Sequence, residues 1–487
     1  MVTALLTFTV VFNLLPRPAY SELERRELAL LPHFSWQRLW SGQLAEELSH
    51  WYSDTEPLRD PLMTLSMTLK SYAAFSTGKE NIRFSGTAPL PLATDDVEQS
   101  LTDSAAVSPA RDENAKLADA GVIVVGEGAD VRALMAYGGS AQSGRAFAAL
   151  CRQLQQRLAP QGVQVYAMPV PLASEFYTPE KARRLTRPQR PVIDYIFSHV
   201  GDTVKCVDAY QALADHTQED IYLRTDHHWA PLGAYYAARC FAEVAGVPLP
   251  DLSHFDRHVI HRYVGTMYGY SKDIAVKNAP EDFVYYTPQD HSYQTWFTPY
   301  VVDSDMRLIQ VQRRQRGSFF YTFKDGSPMA YITFMGGDMK LTEVYTGVTS
   351  QRRLLVLKDS YGNAVPGFLF GSFGEVHVVD FRYFHLNLTQ YMADHHITDL
   401  LLCFNTFNVS SVNVARRCMK LMTQKTGVTH LPDSLTQKPA DSLSAVTQPA
   451  QVPQPSTSDT LAPAAVPDAS SSGVPVMQAH SDSVNIP

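Results

Sequence analysis

A serine that ends an apolar run and an aspartate two residues ahead of a histidine are the ingredients of nucleophilic acyl chemistry, and this chain carries both. The stretch RTDHHWAPLGAYYAARCF, residues 224–241, holds Asp226, His227 and His228 just before a predicted helix. The stretch RLLVLKDSYGN, residues 353–363, ends in Asp359 and Ser360 followed by a flexible YGN. A serine hydroxyl is a weak nucleophile at its own pKa and needs a base within hydrogen-bond reach, itself oriented by a carboxylate. In an extended segment residues two apart share a side, so Asp226 and His228 face the same way and His227 turns away. Asp226 can then hold the His228 ring through Nδ1–H, leaving Nε2 to take the serine proton. His227 is expected to be structural, bonded to backbone or solvent. A metal site built from Asp226, His227 and His228 is the weaker reading, because adjacent residues chelate one ion poorly and no H-x-x-x-H or cysteine partner accompanies them. No metal and no cofactor is therefore expected.

A second Asp-His-His, residues 394–396 in LNLTQYMADHHITDLLL, precedes a strand rather than a helix and lacks the Trp-Ala-Pro continuation. It reads as a polar helix-to-strand connection.

The elements that must position the first set alternate between strand and helix from about residue 120. GVIVVG, VQVYAMPVP, VKCVDA, RLLVLKDS, EVHVVD and DLLLCFN read as strands. SGRAFAALCRQLQQRLAP, PVIDYIFSHV and PLGAYYAARCFAEVAG read as helices, the last with Pro231 near its start and Gly246 past its end. Strands apolar throughout suit a sheet covered on both faces, so the pattern predicts an α/β fold with a parallel sheet flanked by helices. Strand carboxyl ends are where open α/β sheets gather ligands and nucleophiles, which puts Ser360 in an accessible place. Residues 250–345, richer in Tyr, Thr and β-branched residues, are expected to add an irregular β-rich insertion.

The expected organisation is an apolar anchor or signal-like segment (1–20), an N-terminal helical region (21–93), a polar linker (94–119), the α/β domain (120–430) and a Pro/Ser/Ala-rich tail (431–487) too poor in apolar surface to fold. In the helical region Trp36, Trp40, Leu44 and Leu48 fall at helical spacing and read as a packing stripe. The run MVTALLTFTVVFNLL is shorter than a full span and is followed by the charged SELERREL, with no A-x-A-like cleavage site. That favours an uncleaved anchor and an extracytoplasmic protein. Net charge is −8 with scattered Lys and Arg, which argues against a nucleic-acid surface. The five cysteines show no framework or ligand spacing and read as buried thiols.

TDHHW followed by GAYYA, with KDSYGNA downstream, resembles the bacterial DHHW family, an SGNH-hydrolase-like group similar in its catalytic segments to the alginate-acetylation proteins. YSELERREL, PLRD, VYAMPVPLASEFYTPE, EDIYLRTDHHW, GTMYG and FMGGD fit the same pattern in order over roughly residues 20–420. The resemblance implies an SGNH-like α/β fold with Ser360 as nucleophile, His228 as general base and Asp226 as its orienter. Two departures stand out. Lys358 precedes Asp359 where standard SGNH proteins have glycine, and the Asp-x-His pair lies upstream of the serine. Lys358 could restrict access or assist an anionic substrate. For the oxyanion, the candidate donors are the Ser360 N–H and the side chain of Asn405, which follows a strand end where SGNH folds also place an asparagine; a turn cap is the competing reading. Asn363 reads as a turn residue. Arg382, in VVDFRYF, could bind a carboxylate or acyl-donor group, with a salt bridge to an acidic neighbour as the plainer role. By resemblance the function would be serine-dependent O-acyl transfer or esterase action on a cell-envelope or secreted polysaccharide, with a membrane-bound acyltransferase as possible acyl donor. The alternative is a non-catalytic glycan-binding or envelope-assembly protein on the same fold.

Overall fold

The computed structural model describes residues 12–21, 26–73, 82–85, 121–289, 292–302 and 308–425. The tail, the polar linker 94–119 and most of the apolar N-terminal run lie outside them. Among the described residues no helix is long and apolar enough to cross a membrane.

Near the N-terminus the expected Trp/Leu stripe is broken. Gly42 takes φ 81°, a left-handed conformation that a Cβ disfavours, and splits the segment into a short helix, Trp36–Trp40, and α1, Gln43–Asp54. The break puts the two tryptophans out of phase with Leu44, so only Leu44 is buried while Trp36 and Trp40 are 66% and 83% exposed. The packing expectation fails there. Helix α2 (Arg59–Ala73) follows and places Met67 in the main core.

The first apolar run after the linker is a strand, but not one of the main sheet. β1 (Arg83–Ser85), β2 (Val122–Val125) and β3 (Arg132–Met135) form a separate antiparallel sheet. The continuous apolar run Val122–Val125 reads like a parallel-sheet strand, and although it is fully buried, apolarity alone cannot tell the two apart. Helix α3 (Arg145–Leu158) leads into β4 (Gln164–Val170); α4 (Arg190–His199) leads into β5 (Lys205–Cys206). Helix α5 (Pro231–Ala245) begins on the proline signal, whose missing N–H would be unpaired there anyway, and stops at Gly246 in the left-handed region (φ 66°).

The middle segment supplies a two-stranded ribbon, β6 (Phe255–Tyr263) with β7 (Glu281–Pro288), and then β8 (Tyr293–Val302), β9 (Leu308–Val311), β10 (Gln315–Gly317) and β11 (Lys340–Thr346). β12 (Arg353–Lys358), β13 (Glu375–Asp380) and β14 (Asp399–Asn405) complete the large sheet, with α6 (Leu388–Asp394) and α7 (Val412–Thr423). That sheet has nine strands in the order β9-β8-β11-β13-β12-β14-β4-β5, with β10 also beside β8. Its half from β13 to β5 is parallel; its half from β11 to β9 is antiparallel. The expected parallel sheet is thus a mixed one, and the insertion extends it rather than standing apart. The half-exposed alternation along β8 explains the difference, since antiparallel strands tolerate one wet face. In the parallel half every residue of β14 is buried, with helices α3, α4 and α7 packed together and α5 packed elsewhere on the core.

Candidate active site

β12 delivers Ser360 to the carboxyl edge of the sheet, and the residue before it locks the turn. The buried Asp359 carboxylate accepts from the Tyr361 N–H (2.9 Å), the Asn405 N–H (2.8 Å) and Asn408 Nδ2 (2.6 Å). Burial pushes its pKa up, against those three hydrogen bonds. Ser360 opens a short 3-10 turn, and its own N–H takes no partner from the described residues.

The DHHW segment reaches this turn from the other side. It is a tight loop, not an extended strand: the His228 N–H bonds back to Asp226 Oδ1 (3.1 Å), and Tyr222 bridges Trp229 across it. The i, i+2 relation between Asp226 and His228 therefore comes from a side-chain-closed turn. Trp229, fully buried, donates its indole N–H to the Tyr361 carbonyl (2.9 Å), tying loop to turn. The same pair is tied a second time by the Tyr361 hydroxyl, which donates to the His227 carbonyl.

Between these anchors Asp226, His228 and Ser360 line up. His228 Nδ1 lies 2.6 Å from Asp226 Oδ1, and His228 Nε2 lies 2.7 Å from Ser360 Oγ. Asp226 and His228 are 2% and 6% exposed, so little water competes for these bonds. The other oxygen of Asp226 accepts from the Tyr263 hydroxyl (2.8 Å), the Thr266 N–H (2.8 Å) and the Thr266 hydroxyl (3.1 Å). Burial acts to raise the Asp226 pKa, but the facing His228, its hydrogen bond, His227 and the Thr266 N–H hold it well below the ordinary carboxylate value. Asp226 is thereby an anion fixed against His228 Nδ1.

His227 does not turn away. Its ring lies 3.7 Å from that of His228, and its Nδ1 faces the Thr266 hydroxyl at 2.7 Å. Burial, followed by the His228 charge, pushes its pKa down to about 3, so it is a neutral neighbour. On the opposite face of His228 the Tyr331 ring stacks at 3.7 Å and 8°, while its hydroxyl donates to the Ser360 carbonyl (3.0 Å). Tyr263, Thr266 and Tyr331 carry no catalytic residue type or spacing; only the GTMYG segment hinted at the Thr266 contact.

Gly265 shows how closely this carboxylate is cradled. A Cβ there would stand 2.3 Å from Asp226 Cβ and 2.5 Å from Oδ2. Those atoms cannot swing aside without moving the carboxylate. Gly265→Ala is expected to cost about 1–3 kcal/mol in denaturant unfolding. It should also slow any serine-dependent turnover through displacement of Asp226. Wild-type stability in that variant would show that the cradle yields freely.

The remaining sequence candidates have other partners. Lys358 is 2% exposed and points into the protein, with Nζ 2.9 Å from Asp338 and 2.7 Å from Asp380. It neither gates the site nor reaches a substrate. Arg382 donates to the same two carboxylates (2.8 and 2.7 Å), so it sits in an ion-pair network as the plainer reading had it. Asn405 Oδ1 accepts from the Asn408 N–H (2.9 Å), capping a short helix. Asn363 lies in the 3-10 turn, and its Nδ2 donates to Asp338 (2.8 Å). Asp338, from FMGGD, is the residue that sequence reasoning left without a role; it joins Lys358, Asn363 and Arg382.

Comparison with known proteins gives the family of the chain. A search of curated proteins finds no match to the chain. Among solved structures, a DHHW family protein from Eubacterium siraeum superposes with a TM-score of 0.55 at 34% identity, covering 63% of this chain and 96% of that one. Bacillus cereus PatB1, solved with a sulfonyl adduct, gives 0.47 at 18% identity, covering 60% and 96%. The O-acetyltransferase domain of Pseudomonas putida AlgJ gives 0.34 at 15% identity, covering 66% and 98%. Residues 95–379 match the sequence model of the DHHW protein family, and the chain belongs to that family.

Proposed function

We propose that this chain is a serine-dependent O-acyltransferase or acyl esterase acting outside the cytoplasm on an acylated polysaccharide, with Ser360, His228 and Asp226 as its catalytic residues. The observation that carries the reading is the unbroken relay from Asp226 Oδ1 through the His228 ring to Ser360 Oγ. In the first half-reaction Ser360 Oγ attacks the acyl carbonyl carbon while its proton passes to His228 Nε2. The tetrahedral oxyanion would take the free Ser360 N–H as a donor. The C–O bond to the leaving alcohol breaks, that oxygen takes the proton from Nε2, and the acyl group stays on Ser360 as an ester. In the second half a sugar hydroxyl or water gives its proton to Nε2 and attacks the ester carbon, the bond from that carbon to Ser360 Oγ breaks, and Oγ takes the proton back from Nε2, restoring the serine. Asp226 stabilises the imidazolium formed in each half without itself taking the proton. Extracytoplasmic placement and a membrane-bound acyl donor belong to this proposal through the apolar N-terminal run and the family resemblance, not through the relay.

The test is to trap the intermediate. Purified full-length chain is mixed with an activated acetyl ester, quenched in acid within the first turnover, and digested for mass spectrometry. The expected result is one acetyl group on the peptide containing Ser360, lost in His228→Ala. An unlabelled Ser360 with the ester untouched would point instead to the non-catalytic glycan-binding reading, and an unlabelled Ser360 with the ester consumed would overturn Ser360 as the nucleophile.

A further inference from the structure

The second Asp-His-His finds a use at the other end of the same strands. Glu343 on β11 sits directly opposite His377 on β13, and α6 lays His395 over that pair at its C-terminal cap. One donor atom from each of Glu343, His377 and His395 lies within 4.8 Å of the other two. Glu343 and His377 are 3% and 0% exposed; the His395 side chain is 29% exposed and offers a way in.

The surroundings orient these donors as the outer shell of a metal site does. Glu343 gives Oε2 to Arg314 (3.1 Å) and turns Oε1 inward, 3.8 Å from His395 Nδ1, with the Tyr345 hydroxyl at 3.4 Å. Glu375, two residues before His377, repeats the pattern: Oε1 goes to Arg353 (3.2 Å) and Oε2 faces His377 Nε2 at 3.1 Å. The Tyr391 hydroxyl holds His377 Nδ1 at 2.7 Å. Arg353 also donates to the His395 carbonyl (2.8 Å), fixing the end of α6. The His395 ring takes no hydrogen bond from the described residues, and the 3.8 Å gap to Glu343 is too wide for one. Glu343 Oε1 and His395 Nδ1 thus face each other at a separation that a shared cation would close.

We propose that Glu343, His377 and His395 bind one divalent cation of the zinc class, with Glu375 or water in a fourth position. Two imidazole nitrogens and one carboxylate oxygen suit zinc or cobalt and suit calcium or magnesium poorly. Ligands at about 2.0–2.1 Å from zinc stand roughly 3.3 Å apart, so closing the site needs His395 to rotate inward and one His377 ring nitrogen to exchange its present partner, Tyr391 or Glu375, for the metal. The site is distinct from the catalytic groups: His377 is three residues from Asp380 along β13, roughly 10 Å from the Lys358 network. Its consequence is structural, clamping α6 onto the antiparallel half of the sheet.

The test uses the full chain stripped of metal and titrated with cobalt(II) and then with zinc(II). The expected result is a four-coordinate cobalt absorption band saturating at one equivalent, displaced by zinc, with zinc raising the melting temperature. His395→Ala should weaken binding by at least about 100-fold and lose the zinc-dependent shift. The side chain's partial exposure lets that variant fold, which its metal-free melting curve checks. His227→Ala should titrate like wild type. No saturable cobalt band, or a band indifferent to His395→Ala, overturns the site; a band lost in His227→Ala moves the metal to the catalytic loop and overturns it equally.

Discussion

Ser360→Ala is expected to remove turnover by a factor of about 10⁴–10⁶ while leaving the fold intact, because Ser360 Oγ is the atom that would form and break the acyl bond. Its hydroxyl makes a single described hydrogen bond, to His228 Nε2, so its loss strands no other buried partner. His228→Ala should fall in the same range, and the double variant Ser360→Ala/His228→Ala should be no worse than either alone, since residues acting as one relay are strongly non-additive. His227→Ala supplies the contrast. Its ring touches His228 and Thr266 but not the serine. A shift in the His228 ring of a fraction of an ångström and a weaker hold on the Asp226 anion are the losses expected, together at most about 10²-fold. The comparison is made on an acetyl ester with matched melting temperatures as the control for folding. Ser360→Ala that turns over like wild type would sink the serine mechanism outright. Additive losses in the double variant would mean that Ser360 and His228 act separately.

That comparison separates what could be read from the sequence from what could not. Asp226, His228 and Ser360 were legible because their chemistry is carried by residue type, and because a strand end and a helix start are local signals. The route by which they meet was misread. An extended DHHW segment would send His227 to the far side, whereas the Asx-type turn at Asp226 keeps both rings together, 3.7 Å apart. Turn closure depends on which backbone N–H a carboxylate captures, and no periodicity records that. The groups that grip Asp226 were hidden for a different reason. Tyr263, Gly265 and Thr266 come from the end of the β6 strand and the loop after it, and a tyrosine or threonine there is indistinguishable from one in any half-buried ribbon. In the sheet the continuous apolar runs of β12, β13 and β14 showed the parallel half. The antiparallel half was concealed inside a segment whose strands looked irregular, although β8 pairs with β11 over seven residues.

Lys358→Met should be among the most destabilising single substitutions in this chain, at about 3–5 kcal/mol, even though no catalytic role attaches to it. Lys358, Arg382, Asp338 and Asp380 form a quartet of two cations and two anions in which the Lys358, Arg382 and Asp380 side chains are buried and that of Asp338 is 23% exposed. Removing the ammonium leaves two carboxylates sharing one guanidinium, with the Asp338 oxygen at 2.9 Å and the Asp380 oxygen at 2.7 Å from Nζ each losing a charged donor. Burial acts to lower the Lys358 pKa, but Asp338 and Asp380 hold it above the ordinary lysine value; burial acts to raise that of Asp338, but Lys358 and Arg382 hold it far below the ordinary carboxylate value. The signs follow. Asp338 contributes stability that is full above an unfolded carboxylate pKa of about 3.9 and is lost as pH falls through its lower folded value. Lys358 contributes stability that is full below about 10.4 and is lost as pH rises through its higher folded value. Without Lys358 the folded pKa of Asp338 moves back up, so the variant should begin to lose stability in acid at a higher pH than wild type. Denaturant midpoints measured from pH 3 to 8 test this directly. Lys358→Met/Asp338→Asn, which restores charge balance around Arg382 and Asp380, should recover part of the loss. If the double variant is no more stable than Lys358→Met, cavity and packing effects dominate rather than the uncompensated carboxylate. If Lys358→Met melts with wild type, the quartet contributes specificity of packing near Ser360 rather than stability, because Lys358, at the end of β12, stands only two residues before that serine.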